Sequence, residues 1–423
     1  MKRSVLLFMS SLLFISSLFP SGAKEDENTI EIWHSNTGAK AEAFENIVDN
    51  FNSTHENLKI KAVYQGSASD VLTKVKSAES AGGKTLPDIA ILDATSALDM
   101  SRSRFLVTPE ELEIDTSVLL DKALSEYSYK DVHIGLPFSA SALLMYSNAT
   151  LFEEASLAIP STLDEMTAAG KVMKEKTGAY ILSCVPSTYE MITFLSSQNG
   201  GCYITDNRNG HDGIPENVLF DDNGTFTFFL EKWIALSETG ALNSITSGAE
   251  DEFLTGKTAS VFLSSSNLEN MINKINGRFD LSVSPAPLVN ENATGGENIG
   301  GGYLAFFSQN YGVKEVAEYL ISEDVQLYFA MNTGYVPVNK KVYDNPQWKS
   351  FLEENPLFSV APEIISESSD KVMGLWIPSA YQIYHSFQKT IKDAVDKKIN
   401  VKEAEDIMAK EIESALNEYR RIN

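Results

Sequence analysis

The order of hydrophobic periodicities between residues 29 and 94 constrains this chain more than any other feature. "TIEIWH" alternates apolar and polar positions, the mark of a strand with one buried face. After the turn at Gly38, Phe44, Ile47, Val48 and Phe51 fall at i, i+3, i+4 and i+7, one face of a helix. Leu58, Ile60, Ala62 and Tyr64 alternate again and stop at Gly66. Val71, Leu72 and Val75 mark a second helix, and "PDIAILDA" from Pro87 is a short buried strand. This β-α-β-α-β order predicts a parallel sheet covered by helices.

The pattern changes at "HIGLPFSASALLMYSN", which reads as a long extended crossing. "GAYILS", "TASVFLSSS" and "DLSVSPAPL" are further strand candidates, and a Gly-rich loop, "GGENIGGGYLAFF", follows. Two helices are expected around 316–321 and 325–329. A C-terminal helix carries Ala404, Ile407, Met408, Ile412, Ala415, Leu416 and Tyr419 on one stripe. The first 23 residues read as an export signal: Lys2 and Arg3, an apolar run over 5–19, Pro20, then small residues at Ser21, Gly22 and Ala23. No cysteine follows it to carry a lipid anchor. About 400 residues remain, more than one ordinary core accommodates, so two α/β lobes are expected.

Acidic residues outnumber basic ones by 58 to 34, a net charge of −24, which argues against nucleic-acid and anionic-membrane partners. The five histidines have no metal-ligand spacing, and neither a metal nor a cofactor is expected. Cys184 and Cys202 are compatible with one disulfide or with two thiols.

Four stretches, "IWHSNTG", "PFSASALLMYSNATLFEEA", "FLTGKTASVFLSSSNLENM" and "IGGGYLAFF" with the downstream "FAMNTGYVPVNKKVYD", occur in an order and spacing that span nearly the whole mature chain. Together they resemble the extracellular solute-binding proteins of ABC importers, the glycerol-3-phosphate and glycerophosphodiester binders most, with carbohydrate binders next. The resemblance implies a two-lobed periplasmic binding protein, a clamshell in which each lobe is a mainly parallel sheet flanked by helices. It implies an N-lobe of residues 24–138 and 281–330, and a C-lobe of residues 139–280 and 331–423. Hinge strands would lie around 138–142 and 282–287. It further implies a monomer in the periplasm that holds a small-molecule ligand in the cleft and delivers it to an ABC permease in the inner membrane.

Candidate ligand-binding residues follow, each with a bland reading beside it. Trp33 and His34 end a strand, as a cleft wall or a packed pair; no nucleophile or second base attaches to His34. Tyr64 and Tyr335 stand where the resemblance implies ligand-contacting tyrosines, and Tyr189 where it implies an aromatic platform. Asp93, in "ILDATS", is a strand-end carboxylate able to accept ligand hydroxyls, or a solvated loop acid. Ser139 and Ser141 share the expected hinge strand. Ser264 and Ser265 precede a helix start, where backbone N–H groups bind anions and serine also caps. Gly300 and Gly301 allow a backbone to approach a ligand closely. The phosphate-binding relatives carry an arginine where this chain has Tyr384, and no Arg or Lys occurs between Gly374 and Gln388. Arginine's fork grips phosphate oxygens in pairs, so its loss weakens the phosphate case. Trp376, Tyr381 and Tyr384 instead suit a C–H-rich sugar face or a quaternary ammonium, or they pack the lobe. The ligand therefore stays open between a glycerol-3-phosphate-like solute and a neutral sugar. A secreted glycan hydrolase and a chemoreceptor's binding partner are the competing readings.

Overall fold

The computed structural model describes residues 28–422; the expected leader at 1–23 lies outside them. The opening alternation becomes β1 (Thr29–His34), with Ile30, Ile32 and His34 inward. Helix α1 (Ala39–Thr54) buries Phe44, Ile47, Val48 and Phe51, the stripe its spacing predicts. β2 (Lys59–Tyr64) follows, then α2 (Ala68–Ser80), whose start is locked by a reciprocal cap between Ser67 and Asp70. In β3 (Ile89–Leu92) all four residues are buried, as a strand covered on both faces must be. β2, β1 and β3 are parallel neighbours, and the register sets His34 beside Tyr64.

Beyond β3 the expected parallel order ends. Residues 136–148 form one extended run through two sheets: β4 (Leu136–Ser141) joins the larger sheet and β5 (Leu143–Asn148) the smaller. Helices α3 (Thr188–Ser196) and α4 (Thr225–Glu238) come next, then β6 (Ser260–Ser264) and β7 (Leu281–Pro285), which flank β5 on both sides. β8 (Gly300–Phe306) re-enters the larger sheet, giving the order β2-β1-β3-β8-β4. β8 returns to that sheet beside the strand by which the chain leaves it, so it runs antiparallel to both β3 and β4. The larger sheet is therefore mixed, with only β8 running against the other four strands, while the smaller sheet is antiparallel and departs from the mainly parallel sheet expected there. Residues 281–285, expected to open the second piece of the N-lobe, instead pair with β5 in the smaller sheet. Val336, expected in the C-lobe, bridges to Ala140 of β4.

β5 divides the interior. Its side chains alternate, so Leu144 and Tyr146 enter one hydrophobic core with Phe44, Phe138 and Phe306, while Leu143 and Met145 enter another. α5 (Tyr311–Leu320) and α6 (Glu323–Met331) bury Val313, Val316, Val325 and Phe329 in the first core. The second core is built by α3, α4, α7 (Ala380–Val395) and α8 (Val401–Ile422). Phe194 stacks on Phe229 at 4.9 Å beside the fully buried Trp233, and each such ring contributes about 2–3 kcal/mol. In α8, Ala404, Met408, Ile412 and Leu416 are buried, whereas Ile407 sits at the exposed edge of the stripe. No helix among the described residues is long and apolar enough to cross a membrane.

Cys184 and Cys202 are free thiols, so the disulfide alternative is not realised. The nine-residue helix α3 lies between them in sequence. Cys202 instead donates its Sγ–H to the Leu195 carbonyl at 3.1 Å. Alkylation of the unfolded, unreduced protein is expected to label both cysteines; labelling only after reduction would contradict this arrangement.

Candidate functional site

The site grows from the end of β3. Asp93 follows the strand and caps the turn at 94–96: its Oδ1 accepts the Thr95 N–H at 3.1 Å and the Thr95 hydroxyl. Its Oδ2 accepts the Tyr381 hydroxyl at 2.8 Å. Tyr381 belongs to α7, so this bond ties the end of the larger sheet to a helix of the second core. Burial raises the Asp93 pKa, and these hydrogen bonds oppose the shift.

Asp93 opens onto a cavity of about 80 Å³ shared with Tyr189 of α3, Asn298, Gly300 and Gly301 of β8, Gly374 and Tyr384 of α7. No Lys, Arg or His side chain lines it. The Tyr189 hydroxyl lies 3.0 Å from Ser141 Oγ, and removal from water, foremost, lifts its pKa above the usual phenol range. A Cβ at Gly300 would lie 1.4 Å from the Tyr189 hydroxyl oxygen, so the close approach requires glycine there. Gly301 has φ 108°, and a Cβ on it would meet the Ser139 carbonyl oxygen at 2.1 Å.

The floor is clamped from behind. Glu126 Oε1 accepts the Gly374 N–H at 2.9 Å, and His211 Nε2 pairs with the Gly374 carbonyl at 3.1 Å. Burial pushes the Glu126 carboxyl up to about 8 and the His211 imidazole down to about 4. His211 is therefore neutral, with Nε2 as the donor. Thr95 also lines a groove of about 820 Å³ between α2 and the facing ends of α7 and α8, with Tyr381 in its wall.

Of the residues singled out from the sequence, Asp93, Tyr189, Gly300, Gly301 and Tyr384 meet at this cavity, and Ser141 joins through Tyr189. Ser139 Oγ accepts the Gly302 N–H at 3.0 Å, and Ser265 exchanges backbone and hydroxyl bonds with Ala142. Both serines tie strands together. Ser264 caps the turn it opens, accepting the Ser266 N–H, and its side chain, like that of Ser141, also meets the Tyr189 hydroxyl. Another group is not part of the cavity lining, although Tyr335 in it interacts with Tyr189. The His34 ring lies 5.1 Å from Phe44 and 6.0 Å from Tyr64, its pKa lowered by burial, and its Nδ1 accepts the Asn36 N–H. Tyr64 is 56% exposed. Tyr335 stacks on Phe329 at 5.3 Å with the Lys40 ammonium 5.9 Å from its centroid. Two tryptophans are packed. Trp33 donates Nε1–H to Glu31 at 2.7 Å on the sheet face opposite His34, and Trp376 is buried between Tyr129 and His211. Asn298, Thr95, Gly374 and Glu126 escape sequence reading. Only Thr95 carries a local signal, as the residue two beyond an aspartate at a strand end.

A family model of bacterial extracellular solute-binding proteins matches residues 46–357. This chain belongs to that family. An sn-glycerol-3-phosphate-binding periplasmic protein of Rhizobium meliloti is 25% identical to this solute-binding protein over 407 residues, 88% of this chain and 92% of that one. A protein of the same name from Yersinia pestis is 24% identical over 362 residues, 78% of this chain and 79% of its own length. Among solved structures, UgpB from Mycobacterium tuberculosis in complex with glycerophosphocholine superposes with a TM-score of 0.78 at 20% identity, covering 93% of this chain and 99% of that one. The GacH receptor of Streptomyces glaucescens, solved unliganded and with acarbose, also gives 0.78, at 18% identity, covering 92% and 98%. These structural likenesses show the fold of this solute-binding protein as that of periplasmic binding proteins.

Proposed function

We propose that this solute-binding protein is the exported receptor of an ABC importer, and that it captures a neutral, hydroxyl-rich solute such as a sugar or polyol. Two lobes, one around each sheet, meet where residues 136–148 and 286–299 cross, and the ligand sits between them. The observation that carries the ligand class is the lining of the cavity: the Asp93 carboxyl, threonine and tyrosine residues, the Asn298 amide, glycines and apolar side chains, with no basic side chain. A phosphate enclosed there would meet Asp93 with no compensating cation, and desolvating it would cost several kcal/mol. Tyrosine rings and hydroxyls suit C–H faces and ligand O–H groups. At about 80 Å³ the cavity is smaller than the roughly 300 Å³ of ordinary ligand sites, so entry requires the lobes to part, as in hinge-type closure. This reading needs no catalytic group.

Glycerol-3-phosphate is the second reading, favoured by the names of the relatives in sequence, with a glycerophosphodiester beside it because the structurally similar mycobacterial protein was solved with glycerophosphocholine. Calorimetric titration with glycerol-3-phosphate, glycerophosphocholine and a small sugar panel separates the two. Heat from a neutral sugar is expected; binding confined to the phosphate compounds overturns the neutral-solute reading, and turnover of a glycan overturns the receptor reading.

A further inference from the structure

We propose that Asn298 is a specificity-determining residue of this receptor, reading one hydroxyl of the ligand through its side-chain amide. The inference rests on the receptor reading above and deepens it. Asn298 is only 5% exposed and lines the cavity beside Asp93, Tyr189 and Gly300. Its Oδ1 is buried and has no hydrogen-bond partner in the protein. Buried amide oxygens ordinarily have one, because leaving water without replacement is costly.

The unpaired amide does not come from a loose segment. One residue earlier, the Glu297 N–H donates to Ser368 Oγ at 2.8 Å and its carboxylate accepts the Thr193 hydroxyl. Two residues later, Gly300 is paired with Ser141 in the sheet. The backbone is held on both sides, and Asn298 lines the cavity with its amide oxygen unpaired.

A side-chain amide carries an acceptor and donors, the complement of a hydroxyl. A carboxylate or phosphate oxygen has no proton to give Oδ1, so the unpaired oxygen selects a ligand bearing O–H. Asp93 already accepts from Thr95 and Tyr381, whereas Asn298 Oδ1 accepts from no group of the protein. A site built to hydrogen-bond a hydroxyl discriminates strongly against ligands that lack one, since its own polar group is then stranded.

The test compares wild type with Asn298→Leu and Asn298→Ala, titrated calorimetrically with D-glucose, maltose, mannitol, glycerol-3-phosphate and glycerophosphocholine, together with melting of each ligand-free protein. Both variants are expected to melt at or near the wild-type temperature, because no protein partner is lost. Affinity for the probe that wild type binds is expected to fall by roughly tenfold or more. Retained affinity, within about threefold in both variants, overturns the proposal. So does a ligand-free melting temperature lowered by more than about 4 °C in both, since the amide then serves the fold. If wild type binds only the phosphate compounds, the neutral-solute reading fails, while a tenfold loss in the variants still supports Asn298 as the reader of a glycerol hydroxyl. If wild type binds no probe, the ligand-free melting decides alone: an unchanged temperature supports an amide idle in the fold, and a fall overturns the proposal.

Discussion

Gly300→Ala is expected to reduce solute affinity by about a hundredfold or more. The added methyl would occupy the place of the Tyr189 hydroxyl, 1.4 Å from its oxygen and 2.2 Å from Cζ. β8 is held in place, because Gly300 and Gly301 are paired with Ser141 and Ala140 of β4. The phenol must therefore swing away, giving up its contact with Ser141 and its place in the cavity wall. Overpacking of this kind costs about 1–3 kcal/mol in stability. The control is the pair with Tyr189→Ala. Once the ring is gone, Gly300→Ala is expected to cost little further stability, a non-additive result that binding does not share. Calorimetry and thermal melting of the four proteins check this, and wild-type affinity in Gly300→Ala alone would show that the ring yields freely.

Glu126→Gln is expected to flatten part of the fall in stability with rising pH. The carboxyl is buried, and its pKa rises from the ordinary 4.5 to about 8 in the folded protein. Between those values the native state keeps a proton that the unfolded chain has released. Stability from this group is thus complete below pH 4.5 and is lost as pH rises through 8. His211, lowered from 6.5 to about 4, acts in the opposite sense, but only below pH 6.5. The clean window is therefore pH 6.5 to 8, where Glu126 accounts for on the order of 1–2 kcal/mol. Asp93, Glu190 and Glu297 are also raised by burial and keep some slope in both proteins, so the difference between the two curves isolates Glu126. Glutamine preserves an acceptor for the Gly374 N–H and cannot ionise, so the variant is expected to melt a few degrees above wild type at pH 8, and the gap is expected to be smaller at pH 6.5. Parallel curves across that window would remove Glu126 from the account.

Both effects depend on residues whose local signals differ in kind. The triple glycine at 300–302 is visible in the sequence as a place where backbone comes close to something, but not that the something is Tyr189. Glu126 reads as an ordinary surface acid near the end of a short helix, and nothing nearby announces that it meets Gly374, 248 positions away. Trp33 and Trp376 show the converse. Large aromatic rings near a strand end and in a Tyr-rich segment suggest a ligand wall, yet both are packed, Trp33 because its place in the β1 alternation faces away from His34.

What the amino-acid order determined by itself was local and periodic. The alternation of β1 and β2, the stripes of α1 and α2 and the buried run of β3 state which face of each element leaves water, and β2-β1-β3 pair in parallel accordingly. Only the tertiary structure decided which strand lies between β3 and β4, that β7 joins the smaller sheet, that the two thiols stay unbridged, and that Asn298 lines the cavity with its amide oxygen unpaired. The reason is physical: a side-chain period specifies burial, whereas the neighbour across a sheet or cavity is chosen by how the whole chain closes on itself, at separations no local pattern records.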